Sequence, residues 1–189
     1  MRIGILGGTF NPIHNGHLRL AEGARRKIKL DKVIFVPVNI PPHKPPLDVI
    51  AAKERYKMVY MAIRNKPHFE ISDYEIKTGG TSYSIKTLKA FRKRFGQKTK
   101  LFFLTGSDSL PMLKAWKNIK KVLELAEFVV ASRPGYKMFR PAFKVRKISI
   151  PTPDISSTFI RKSFQSGLSV KRFLPDIVYN YINKKGFYK

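Results

Sequence analysis

Two histidines, His14 and His17, stand three residues apart in the stretch Gly7-Gly8-Thr9-Phe10-Asn11-Pro12-Ile13-His14-Asn15-Gly16-His17. At that spacing both imidazoles share one face if they lie in the first turn of a helix. A helix start presents unpaired N–H groups and a positive dipole end, which suits phosphate. Two imidazoles there can both donate to an anion. Other chemistries are open to the same residues. Histidines three apart can hold a metal, although the chain has no cysteine and only His43 and His68 as further imidazoles. They can also be ordinary turn and cap residues. The glycines fit neither a dinucleotide fingerprint, since Gly-x-Gly-x-x-Gly is absent, nor a P-loop, since Gly-Lys-Ser/Thr is absent.

A second cluster lies near the end of the chain: Thr152-Pro153-Asp154-Ile155-Ser156-Ser157-Thr158-Phe159-Ile160-Arg161. Asp154, Ser156 and Ser157 are good N-caps, so a helix is expected to begin there. Its free N–H groups, the Ser157 and Thr158 hydroxyls and Arg161 one turn on can face one anion. The plain alternative is a capped helix with no ligand. Between the clusters, Asn39-Ile40-Pro41-Pro42-His43-Lys44-Pro45-Pro46 can be neither helix nor central strand. It is either a stiff connector or a rigid arm that presents His43 and Lys44.

The elements that must position these residues follow from hydrophobic periodicity. Ile3 to Leu6 reads as a first strand, and Leu18, Ala21, Ala24 and Ile28 as the stripe of a helix after it. Lys32 to Val38 is a continuous apolar run that suits a strand covered on both faces. Ala51 to Asn65 is expected to be helical, with Tyr56, Val59, Tyr60 and Ile63 as its apolar stripe. Phe69 to Ile76 reads as a short strand, and Thr81 or Ser82 as the cap of a helix bearing Ile85, Leu88, Phe91 and Phe95. Leu101 to Leu104 is a strand running into Thr105-Gly106-Ser107-Asp108, the kind of strand end where ligands sit in open α/β sheets. A helix with Ile119, Val122, Leu123 and Ala126 and a strand from Phe128 to Ala131 follow. Residues 137–146 read as irregular and basic, Ile148 to Ile150 as a last strand, and Leu174, Ile177, Val178, Tyr181 and Ile182 as a final helix. Strands alternating with helices imply a parallel sheet with helices on both faces, a Rossmann-like α/β fold.

Composition bounds the function classes. At 189 residues, 43% of them hydrophobic, the chain is expected to form one domain with a real core. The first apolar run is short and ends in glycines, so it reads as a strand and not as a signal peptide. No run approaches the ~20 apolar residues that span a membrane. A cytoplasmic protein is expected. The formal charge of +26 attracts polyanions and makes nucleic-acid binding the rival class of function. The basic residues are scattered, however, and accompany no aromatic strand signature for RNA and no zinc-finger spacing. A solvated basic surface that draws in anionic substrates accounts for them, and no specific nucleic acid is expected.

The stretch from Gly7 to His17 resembles the His-x-Gly-His signature of the nucleotidylyltransferase superfamily, and more narrowly that of the bacterial nicotinate-nucleotide adenylyltransferases. The likeness extends over nearly the whole chain. The second cluster resembles the superfamily's Ile-Ser-Ser-Thr-x-Ile-Arg motif. Similar segments in the family match Pro41 to Lys44, Thr81 to Leu88, Gly106 to Leu110 with Trp116, and Arg133 to Tyr136. The resemblance implies adenylyl transfer from ATP to nicotinate mononucleotide on a single domain over 1–189, with a small C-terminal helical portion from about 157. His14 and His17 would be the catalytic donors to the α- and β-phosphates, and Arg161 would hold the β- and γ-phosphates. Gly7, Gly8, Thr9, Phe10, Gly106, Asp108, Ile155, Ser157 and Thr158 would complete the ATP site. His43, Lys44, Thr81, Ser84, Trp116 and Lys117 would bind the mononucleotide, with Lys44 on its phosphate. Magnesium would arrive on the ATP phosphates, with no metal held by protein side chains. The oligomeric state is left open, a homo-oligomer included. Two positions depart from the family pattern: Asn11 stands where many relatives have aspartate, and Lys86 where an acidic residue is common. The alternatives are another enzyme of the superfamily, such as one acting on pantetheine phosphate, and a basic RNA-binding protein.

Overall fold

A computed structural model describes residues 1–42, 49–132, 143–151 and 153–189. In order the chain forms β1 (Arg2–Gly8), α1 (Asn15–Lys27), β2 (Lys32–Pro37), α2 (Ala52–Ile63), β3 (Phe69–Ile71), α3 (Tyr74–Thr78) and α4 (Ser84–Phe95). It continues with β4 (Lys100–Gly106), α5 (Ile119–Leu125), β5 (Glu127–Ser132), β6 (Arg146–Ser149), α6 (Ser157–Gln165) and α7 (Asp176–Lys185). A 3₁₀ segment, Ser107–Ala115, follows β4 directly, and a shorter one, Lys171–Phe173, precedes α7.

The strands form one sheet in the order β3-β2-β1-β4-β5-β6, and each neighbouring pair is parallel. This is the Rossmann-like α/β arrangement that the alternation of strands and helices implies. Side chains alternate across the sheet, as a strand's period of two requires. Leu6, Val33, Phe35, Phe102 and Leu104 pack with α1, α2, α6 and α7 on one face. Ile3, Ile5, Ile34, Leu101 and Phe103 pack with α4 and α5 on the other. The chain moves outward in one direction through β2 and β3 and in the other through β4, β5 and β6. The reversal between β1 and β4 opens a crevice at their carboxyl ends, where such sheets bind ligands.

Several expectations are corrected locally. The strand expected over 69–76 stops at Ile71, and Tyr74–Thr78 is a short helix. Ser72 ends the ladder, because its Oγ accepts from the Tyr74 N–H at 3.3 Å and turns the chain. The stripe expected on α2 is rotated: Tyr60 is 50% exposed, whereas Arg55, Met58, Val59 and Ile63 are buried. An arginine at a core position hides the true stripe from a polar/apolar reading. Neither Thr81 nor Ser82 caps α4, whose cap is Tyr83. The Ser82 hydroxyl accepts instead from the Asn39 N–H at 2.9 Å, and Thr81 bridges to Ile40. The last strand runs over Arg146–Ser149, not 148–150, so it begins inside the stretch read as irregular. The family-like segment Arg133 to Tyr136 lies outside the described residues, as does most of 137–146.

Candidate functional site

The carboxyl end of β1 runs into a turn that carries the first cluster. Phe10 takes a left-handed backbone, φ +49°, and is buried. Its ring lies over Gly8, where a Cβ would stand 2.9 Å from the ring, and meets His17 edge-on at 5.0 Å. A side chain at position 8 would expel that ring. A bulky residue in the left-handed region costs about 1–3 kcal/mol and persists only where the surroundings impose it. Here those surroundings are the packed Phe10 ring and the start of α1.

His14 caps α1 and is 2% exposed. Its carbonyl accepts from the His17 N–H at 2.9 Å, and its own N–H donates to His17 Nδ1 at 3.2 Å. Because Nδ1 accepts, the His17 proton sits on Nε2, and the half-buried ring is a fixed donor at that atom. The two imidazoles stack with centroids 3.7 Å apart. Gly16 makes room for this pair, since a Cβ there would stand 3.0 Å from His14 Nδ1 and 3.5 Å from Ile155. Alanine is normally the better helix residue. Gly16→Ala is therefore expected to leave thermal stability near wild type while lowering turnover about tenfold, because a sub-ångström shift of a positioned group is costly. Steady-state kinetics beside a melting curve checks it; unchanged turnover would mean that His14 need not hold its position.

Side chains from distant elements tie this turn down. Arg55, 1% exposed on α2, donates to the carbonyls of Thr9 at 2.7 Å, Asn39 at 2.8 Å and Ile50 at 2.9 Å. Burial lowers its pKa to about 10, so it is still a cation at neutral pH. Ser157, the first residue of α6, donates from Oγ to the Pro12 carbonyl at 3.0 Å. Arg161 donates from Nη1 to the Asn11 carbonyl at 3.0 Å. The Tyr188 hydroxyl donates to Asn11 Oδ1 at 2.8 Å. The second cluster is thus brought against the first, and the N-termini of α1 and α6 meet at one turn. Ser156 caps α6 by accepting from the Phe159 N–H at 3.1 Å, and Thr158 is exposed.

Beside the turn, at the mouth between β1 and β4, lies a cavity of about 470 Å³. Its floor is the backbone of Gly7, Gly8 and Thr9, and its wall is the α4 start with Trp116 and Lys117. Trp116 is half-buried and packs edge-on against Phe103 at 5.5 Å and Phe128 at 5.8 Å. The Lys117 ammonium lies over the Tyr83 ring at 4.7 Å. Glu75, from α3, also lines the cavity. Its Oε1 accepts from the Thr87 hydroxyl in a short hydrogen bond, and its Oε2 has no partner among the described residues. Burial pushes this carboxyl above the ordinary carboxylate range, against the lowering effect of the Thr87 and Ser82 hydroxyls.

The residues singled out in the sequence distribute as follows. Gly7, Gly8, Thr9, Ser84, Trp116 and Lys117 line the cavity. Phe10 sits beneath it in the core, and Thr81 lines a small adjoining recess. Gly106 ends β4, with exposed Asp108 folded over it so closely that a Cβ on Gly106 would collide with the carboxylate. Ile155 is buried against Gly16. His43 and Lys44 lie outside the described residues. Ser82 falls within the family-like segment Thr81 to Leu88, whereas Arg55, Glu75 and Tyr188 were not expected at the site. Only Arg55 left a trace in the sequence, as a cation in the otherwise apolar register 55, 58, 59, 62, 63.

The chain has relatives among known proteins. A family model described as cytidylyltransferase-like matches residues 5–163. A probable nicotinate-nucleotide adenylyltransferase of Thermoanaerobacter sp. is 43% identical, over 100% of this chain and 95% of its own length. One of Clostridium tetani is 42% identical over 98% of both chains. The fold matches that of Plasmodium falciparum nicotinic acid mononucleotide adenylyltransferase in complex with NaAD, with a TM-score of 0.83 at 20% identity, covering 99% of this chain and 97% of that one.

Proposed function

The chain belongs to the cytidylyltransferase-like family, and we propose that it transfers the adenylyl group of ATP to nicotinate mononucleotide, giving deamido-NAD and pyrophosphate. The observation that carries this reading is the meeting of the α1 and α6 N-termini at the His14–His17 turn, beside a cavity of about 470 Å³. The relatives named above bear the same activity in their names.

The mononucleotide occupies the cavity, with its ring against Trp116 and its phosphate directed to the turn. ATP lies across the two helix starts. The mononucleotide phosphate is already largely ionised near neutral pH, since such monoesters have a second pKa of about 6. Its oxygen attacks the α-phosphorus in line, the bond to the β-phosphate oxygen breaks, and pyrophosphate leaves with that electron pair. No base and no protein nucleophile is needed. Positioning and charge stabilisation do the catalysis. His17 Nε2–H and His14 donate to phosphate oxygens as negative charge shifts toward the leaving group. Ser157 and Arg161 hold α6 against the turn, and the remaining guanidinium N–H groups face the triphosphate. The donors gathered here, imidazole N–H, helix N–H and guanidinium, suit phosphate oxygens. Because these groups are donors and not metal ligands, a magnesium ion would be held by the triphosphate, where it would neutralise charge.

The test is pyrophosphate release from ATP with magnesium, measured against nicotinate mononucleotide, nicotinamide mononucleotide and pantetheine phosphate. Release only with pantetheine phosphate would move the chain to another branch of the superfamily. This reading carries a cytoplasmic setting with it. No helix among the described residues is long and apolar enough to cross a membrane.

The +26 charge serves attraction of anionic substrates. RNA affinity, where measured, is expected to be indifferent to sequence and to fall steeply with salt as counterions are released. Filter binding of two unrelated RNAs from low to physiological salt checks this. Retention of one RNA over the other at physiological salt would favour the nucleic-acid alternative.

A further inference from the structure

The Gly7–His17 turn has no regular structure between β1 and α1, yet it must hold two imidazoles still. Its outward carbonyls are held by Arg55 from α2 and by Ser157 and Arg161 from α6. A further tie comes from the end of the chain. After α7, Gly186 takes a left-handed backbone, φ +66°, and its N–H returns to the Asn183 carbonyl at 3.2 Å. The Phe187 N–H bonds the Ile182 carbonyl at 3.2 Å, so the chain doubles back on the helix end. Tyr188 then points inward. Its ring packs near Phe164 and Phe187, with centroids 6.2 Å from each. Its hydroxyl reaches Asn11 Oδ1 at 2.8 Å across 177 residues of sequence.

We propose that Tyr188 is a positioning residue for the reaction: its hydroxyl, held on the Asn11 side chain, fixes the turn that sets His14 and His17 against the phosphates. The inference rests on the proposed function of that turn. Asn11 is 2% exposed and lies one helical turn's length before His14 in the sequence, so its side chain is the handle by which the C-terminus grips the catalytic segment. The neighbours of the phenol agree with this role. The Arg55 and Arg161 guanidiniums both act on it electrostatically, and they bond the Thr9 and Asn11 carbonyls of the same turn. Burial keeps the phenol protonated in spite of those two cations, so it stays a donor over the working pH range. A neutral asparagine opposite it accepts the hydrogen bond through Oδ1 and adds no third charge. This gives Asn11 a defined partner.

The test is Tyr188→Phe in the full chain, which keeps the ring and removes the hydroxyl. The expected result is a fall in kcat of about tenfold with KM for the mononucleotide within about twofold of wild type, because the turn is misplaced and the cavity is untouched. Asn11→Ala, which deletes the acceptor and keeps the tyrosine, is expected to give the same kcat-only signature, and the double variant no further loss. Loss of coupling in that cycle, or kcat unchanged in a Tyr188→Phe protein that merely melts earlier, would overturn the inference and leave Tyr188 a packing residue. Should Tyr188→Phe fail to fold, Asn11→Ala alone decides: wild-type kcat overturns the proposal, and a selective kcat loss supports it. A wild-type enzyme that releases no pyrophosphate with any mononucleotide would instead defeat the proposed function itself, so the two failures are distinct.

Discussion

His17→Ala is expected to lose about 10²–10³-fold in turnover, roughly 3–4 kcal/mol, while folding normally. The loss follows from the hydrogen bond that fixes the ring. His17 Nδ1 accepts from the His14 N–H, which leaves Nε2–H as a preorganised donor that needs no reorientation during the reaction. Alanine removes that donor from a position where the helix tolerates it well. The ring is half-buried and touches Phe10 and His14, so its loss opens the surface and not the core. Circular dichroism and a melting curve establish the fold, and initial rates of pyrophosphate release give the turnover. The mononucleotide KM should change little, because its cavity is lined by other residues. A folded variant with a near-wild-type rate would remove the imidazole pair from the mechanism. His14→Ala is a poorer probe, because His14 is also the buried cap of α1.

How much of this was legible in the sequence differs from element to element. The first strand and helix declare themselves, since Ile3 to Leu6 and the stripe through Ala21 and Ala24 are local patterns with local causes. Both helix starts at the site were legible for the same reason: histidine and serine at cap positions carry their chemistry in their neighbours. The α2 face was misread because Arg55, only 1% exposed, occupies a core position to bond three carbonyls. A polarity pattern treats arginine as outside. The strand expected to reach Ile76 failed at Ser72, where a side-chain acceptor outcompeted the ladder.

The ties that hold the site are the least legible part. Arg55 meets Thr9 across 46 residues, Arg161 meets Asn11 across 150, and Tyr188 meets Asn11 across 177. No period or spacing records such contacts, because each depends on where the finished sheet places two distant loops. The resemblance assigned Arg161 to the triphosphate. The structure adds a bond from one of its five N–H groups to the Asn11 carbonyl, so the same side chain braces the turn that carries His14 and His17.

Nicotinate mononucleotide is expected to be used about 10²-fold better than nicotinamide mononucleotide, or more. The two differ by a carboxylate against an amide at one ring position. The wall of the cavity at Ser84 is the first turn of α4, whose dipole end is positive. The Lys117 ammonium stands at the same wall, over Tyr83. A carboxylate placed there receives charged hydrogen bonds that the amide NH₂ cannot accept. A buried charged hydrogen bond left unmade costs about 1.5–3 kcal/mol, and more than one such bond accounts for the ratio. Glu75 is the opposing group, because an ionised carboxylate in this cavity would repel nicotinate and accept from the amide. Burial raises its pKa, which favours the neutral acid and weakens that repulsion. The measurement is kcat/KM for the two mononucleotides with ATP and magnesium at one pH. Equal values would mean that the α4 terminus and Lys117 do not reach the ring substituent. A preference for the amide would mean that Glu75, ionised, governs the pocket.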